Sequence, residues 1–162
     1  MNRKCGARTA AAVAALFLLT GCGVHIPADP DGTLDAVRDA TLHAGASPNP
    51  GFIEVDGERT VSGPEADAIE AFADTLGARV EWTVGSEEAL VRGLENGALD
   101  IVAAGLTDET PWSEQAGMTR PYAEAVLEDG SVHKLVMLVP IGENAFLSEL
   151  EGFLAAYTGE TR

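Results

Sequence analysis

The chain has 162 residues, with 10 Lys and Arg against 26 Asp and Glu, a formal net charge of −16 at neutral pH. Phosphate backbones are gripped by clustered Lys and Arg, so this balance excludes a nucleic-acid-binding protein. The length allows one modest hydrophobic core and hence one folded domain.

In chain order, Arg3, Lys4 and Arg8 form a basic start and residues 10–19 an apolar stretch. That stretch is too short for a bilayer span, which takes ~20 apolar residues. It reads as the core of a secretory signal peptide covering residues 1–21. Leu19, Thr20, Gly21 and Cys22 follow it. They resemble the lipobox of bacterial lipoproteins, which implies that Cys22 is acylated and becomes the first residue of the mature chain. Each buried methylene contributes about 0.8 kcal/mol, so several acyl chains make a firm anchor. The expectation is an extracytoplasmic lipoprotein held to the cell membrane by its lipid. Cys5 leaves with the signal and Cys22 is used, so neither a disulfide nor a thiol nucleophile is expected in the mature domain.

Residues 22–32 contain Pro27 and Pro30 and no apolar period, and read as a tether. A short helix is predicted over residues 33–39, a strand over 41–46, a turn over 47–51 and an extended piece over 52–55. Pro64 opens a helix to Leu76, with Ile69, Phe72, Ala73 and Leu76 at helical spacing. Glu65 and Asp67 suit its positive end. A strand follows at 79–84, and Ser86 is the N-cap of a helix to about Asn96. Residues 99–104 read as a buried strand, 105–117 as a polar loop, 134–139 as a strand and 143–157 as a last helix. The alternation implies an α/β fold with a mainly parallel sheet flanked by helices. Ligands in such sheets sit at the carboxyl ends of the strands. Here that edge is the turn 47–52, the residues after Val84, and the loop 105–112.

No nucleophile elbow, Walker loop or paired-cysteine pattern occurs, and the spacing of His25, His43 and His133 suits no metal site. A binding protein without cofactor or metal is expected, not an enzyme.

Several landmarks then fall in order: Gly63-Pro64-Glu65-Ala66-Asp67, Leu76-Gly77, the segment from Leu94 to Ile101, Gly105-Leu106-Thr107, and Thr119-Arg120-Pro121-Tyr122. Together residues 42–122 resemble lobe one of the periplasmic binding proteins of type 2, the amino-acid-type (family 3) solute receptors of ABC transporters. The resemblance implies a ligand loop at Gly105 and a hinged partner lobe after Pro121-Tyr122. Residues 123–133 stand in that place, too few for a lobe. Residues 33–162 are therefore expected to form a single lobe, with 123–133 a short loop replacing lobe two.

The resemblance also implies an arginine in the ligand loop, three residues after a threonine, forked onto the ligand carboxylate. Those positions are Glu109 and Trp112 here. The candidate ligand residues are Asn49, Phe52, Thr107, Asp108, Glu109 and Trp112, and a cationic or ring-bearing solute suits the acids and the aromatics. Trp112 reads, ahead of a ligand role, as a cover for the sheet edge or the lost inter-lobe interface. The implied function is a membrane-anchored solute-binding module in small-solute transport, with an ABC permease or a second copy of the chain as protein partner. The alternative is an interaction, sensor or adaptor lipoprotein that uses the exposed former inter-lobe face, with Trp112, Phe52 and Tyr122 as anchors.

Overall fold

The structure, a computed structural model, describes residues 29–57, 60–126 and 130–160. The signal peptide, Cys22 and most of the tether lie outside the described residues. The elements run α1 (Thr33–Val37), β1 (Thr41–Ala46), β2 (Glu54–Asp56), β3 (Thr60–Ser62), α2 (Pro64–Thr75), β4 (Arg79–Val84), α3 (Glu87–Glu95), β5 (Ile101–Thr107), a 3-10 turn (Pro111–Glu114), β6 (Gly117–Met118), β7 (Ala123–Val126), β8 (Val132–Val139) and α4 (Asn144–Glu160). The main sheet has the order β4-β1-β5-β8-β6, and β7 pairs with β8 beside β6. β4, β1 and β5 are mutually parallel, and β8 alone opposes the other five strands. This is the expected mixed α/β architecture. β2 and β3 make a separate two-stranded ribbon.

Strand alternation sends side chains to two faces. Leu42, Ala44, Ile101 and Met137 meet Ile69 and Phe72 of α2 and Phe146 and Leu150 of α4. Phe72 lies edge-on to Phe146, with ring centroids 5.8 Å apart. Val102, Val136 and Leu138 on the other face meet Leu90, Val91 and Leu94 of α3. Gly45 makes that second contact close: a Cβ there would stand 2.9 Å from Leu99 and 3.0 Å from Leu90. α2 begins with Pro64 in its first turn and α3 with Ser86, whose Oγ accepts from the Ala89 N–H at 3.4 Å.

Three segments differ from expectation. β5 runs on to Thr107, because Gly105 takes φ +59° and the register with β8 shifts there, so the strand bends without ending. Within 123–133, residues 123–126 and 132–133 are strand: β7 pairs Ala123 to Leu135 and Val126 to Val132, extending the sheet. Residues 29–32 belong to the fold, since Asp29 accepts from the N–H of Leu34 (2.8 Å) and of Phe146 (3.3 Å).

Candidate ligand site

The carboxyl ends of β1, β4 and β5 fall on one edge. There β8 sets Leu135 beside Thr107, and β7 sets Ala123 on Leu135's other side. The turn after β1 folds back on itself. Asn49 and Ile53 exchange two backbone hydrogen bonds, both of 2.9 Å, and the Asn49 side-chain amide donates to the Ala104 carbonyl at 2.9 Å. Asn49 thus fastens the turn to β5, and its amide nitrogen is committed to the backbone. Phe52 is half-buried against Gly105: a Cβ on Gly105 would stand 2.7 Å from its ring and 2.5 Å from the Asn49 amide. Only glycine fits that approach at a positive φ.

Glu65 completes the lock. It lies in the first turn of α2 and is 2% exposed. One carboxylate oxygen accepts the Gly105 N–H at 2.7 Å, and the other accepts the Tyr122 hydroxyl. Burial pushes the Glu65 pKa up. The hydrogen bonds from Tyr122 and Gly105 pull it back only in part, so it stays above the usual glutamate range. Burial and the adjacent Glu65 charge push the Tyr122 phenol far above its ordinary value. Beside the pair, between α2, α4, the start of β7 and the first half of β8, lies a cavity of about 370 Å³ walled by Phe52, Ala68, Ala123, Leu135, Leu154 and Tyr157.

The remaining predicted residues divide. Thr107 is half-buried, and Asp108 and Glu109 are exposed on the edge. Asp108 donates its N–H to the Lys134 carbonyl at 2.9 Å, and its carboxylate is 4.0 Å from Lys134 Nζ. Glu109 is 4.0 Å from His133 Nδ1. Trp112 packs against the α3-side core and donates its indole N–H to Glu87 at 2.9 Å, as a cover for that face of the sheet would. The structure therefore gathers Asn49, Phe52 and the Gly105–Glu109 stretch, and turns Trp112 toward α3. Glu65 and Tyr122 were missed as a pair. Both sat in landmark segments of the sequence, but nothing local joins residues 57 positions apart.

The sequence model of the bacterial extracellular solute-binding proteins, family 3, matches residues 42–160. The chain belongs to this family, and that membership supports an extracytoplasmic solute-binding module related to transport. Three solved structures of similar fold can be set beside it. The arginine-bound form of domain 1 from TmArgBP is 21% identical with a TM-score of 0.63, over 72% of this chain and 92% of that one. The ancestral amino-acid-binding protein AncCDT-1, a precursor of cyclohexadienyl dehydratase, is 16% identical with a TM-score of 0.67, over 80% and 95%. The L-cystine solute receptor of Neisseria gonorrhoeae, unliganded and open, is 10% identical with a TM-score of 0.64, over 79% and 92%. At these identities they define the fold alone. No curated protein matches the chain.

Proposed function

We propose that residues 33–162 are an open, single-lobe solute-binding module, with 123–133 closing the chain where a second lobe would leave it. The signal peptide of residues 1–21 sends it out of the cytoplasm, and the lipid on Cys22 anchors it through the tether. The observation that carries the reading is the lock between the turn after β1 and the end of β5. Asn49 binds Ala104, Glu65 binds Gly105, and Phe52 packs on Gly105. Phe52, Thr107, Asp108 and Glu109 are thereby fixed in advance on an open edge, which lowers the entropy cost of holding a ligand. Among the described residues the basic side chains nearest the two edge carboxylates, Lys134 and His133, stand 4.0 Å away, so a cationic or ring-bearing solute suits them. That TmArgBP domain 1 occurs in an arginine-bound form supports binding by one lobe. We read the chain as a binder and not a catalyst, serving an ABC permease.

One lobe leaves half the ligand in water, whereas good pockets bury ~70–90% of it. Isothermal titration with arginine, other cationic amino acids and ring-bearing amines is expected to give weak binding, near millimolar, or about 4 kcal/mol. Asp108→Asn and Glu109→Gln should each weaken it several-fold. No binding by a folded chain, or binding indifferent to both substitutions, overturns the reading. Cys22→Ser should release the protein from the membrane fraction.

A second reading rests on the paired strands β7 and β8. Val126 and Val132 face each other across β7 and β8 and are 71% and 58% exposed. β7 pairs only with β8 among the described residues. This exposed apolar pair on an open strand edge suits a second copy of the chain, joined edge to edge. Sedimentation showing a dimer that Val126→Lys dissociates would favour it; a monomer at all concentrations would end it.

A further inference from the structure

Glu65 is a buried carboxylate with no cation. It is 2% exposed, and no Lys, Arg or His side chain lies within 4.0 Å of it among the described residues. Its two donors, the Gly105 amide and the Tyr122 hydroxyl, are neutral groups that satisfy its oxygens without cancelling its charge. A charge so placed is costly until it takes up a proton or meets a positive partner. The side chain also lines the cavity of about 370 Å³, whose other walls are mainly apolar or aromatic. That volume falls in the range of small-molecule pockets, ~300–1,000 Å³. Asp67, exposed at the rim, adds a second negative group and so biases entry toward cations.

We propose that this cavity is a binding site for a small aryl-alkyl or branched alkyl ammonium. The ammonium rests on Glu65, and the apolar body lies between Phe52, Leu135, Leu154 and Tyr157. Phe52 and Tyr157 give the wall an aromatic character that suits such a body and the charged group attached to it. An anion of the same shape would bring a second negative charge to a buried one and is rejected. The site shares Phe52 with the β-strand edge but uses none of Thr107, Asp108 or Glu109. It goes beyond the edge-binding reading and can fail separately from it.

The test uses phenethylamine as the cation and hydrocinnamate as its anionic counterpart, with the full chain, by calorimetry and NMR. Phenethylamine should bind at least about tenfold more tightly than hydrocinnamate, the scale of one charge-assisted hydrogen bond at a buried site. Its shifts should centre on Leu135, Leu154 and Tyr157. Glu65→Gln keeps the shape and removes the charge, and should cost about tenfold. Leu154→Trp fills the cavity and should abolish binding; if that variant fails a cooperative melt, Ala123→Leu fills the space from the strand side. Glu95→Gln, an exposed carboxylate on α3, serves as the unaffected control. Equal affinity for the two probes, no binding by the folded chain, or indifference to Glu65→Gln overturns the proposal. So do shifts confined to the Thr107–Glu109 amides, which would assign the amine to the edge and leave the edge reading standing.

Discussion

Two buried glutamates sit at opposite ends of the same sheet and meet opposite fates. At the amino end Glu143, 1% exposed, accepts the N–H groups of Asp31 (2.9 Å) and Thr33 (3.0 Å). Asp29 beside it accepts those of Leu34 and Phe146. Two carboxylates thus receive four backbone donors at the starts of α1 and α4, where the helix ends favour negative charge. Burial pushes the Glu143 pKa up, but the backbone donors of Asp31 and Thr33, together with side-chain hydrogen bonds from Thr33 and Asp29, outweigh it and leave the group below its usual range. Burial also drives Asp29 upward, and its own donors do not offset burial together with the nearby Glu143. At the carboxyl end Glu65 has a single backbone donor and a phenol, and burial wins. The balance of burial against hydrogen bonds therefore differs between the two glutamates: Glu143 is held by two backbone donors of α1 and its approach, Glu65 by one backbone donor and a phenol beside a cavity.

The comparison can be broken most forcefully at its fastened end. Glu143→Ala strips the acceptor from two N–H groups at the start of α1 and should cost about 3 kcal/mol, since each orphaned buried donor costs ~1–3 kcal/mol. Denaturant unfolding reads this directly. A loss under about 1 kcal/mol would mean that water replaces the carboxylate. At the other end, Gly105→Ala forces a Cβ against Asn49 and Phe52 at φ +59° and should cost about 2 kcal/mol, seen in the same experiment.

The smallest and most discriminating effect is in the pH dependence. Glu143 has a lowered folded pKa, so its contribution is full above its unfolded pKa and is lost as pH falls through the folded value. Glu65 has a raised folded pKa, so its contribution is full below its unfolded pKa and is lost as pH rises through the folded one. Glu65→Gln should therefore flatten the decline on the alkaline side of the carboxylate range, and Glu143→Gln the decline on the acid side. Melting temperatures followed across that range test both, and a swap of the two limbs would refute the contrast.

Much of the framework was legible from local chemistry. Pro64 and Ser86 mark the starts of α2 and α3, and the spacing of Ile69, Phe72 and Ala73 marks the buried side of α2. What escaped was non-local. β6 and β7 are two and four residues long and exist because β8 offers them an edge, which their own sequences do not announce. The Gly105 bend reads as a loop from composition, although β8 holds it in the sheet. At the site, the polar turn and loop were readable as the carboxyl edge. The Glu65–Tyr122 and Trp112–Glu87 bonds join distant segments, and only folding reveals them.

The fastening at Asp29 also fixes how the lobe stands. The chain enters the fold beneath the sheet, beside the first turn of α4, on the side away from Phe52 and Glu109. Cys22 lies just upstream; at ~3.5 Å per residue the intervening stretch reaches about 25 Å at most. That is close to the height of β8, at ~3.3 Å per residue over its eight residues. Were Cys22 acylated as proposed, so brief a leash would hold the base of the lobe nearer the headgroups than its rim. Solutes would arrive from the far side, and a permease in the same bilayer would meet the flank of the lobe, not its mouth.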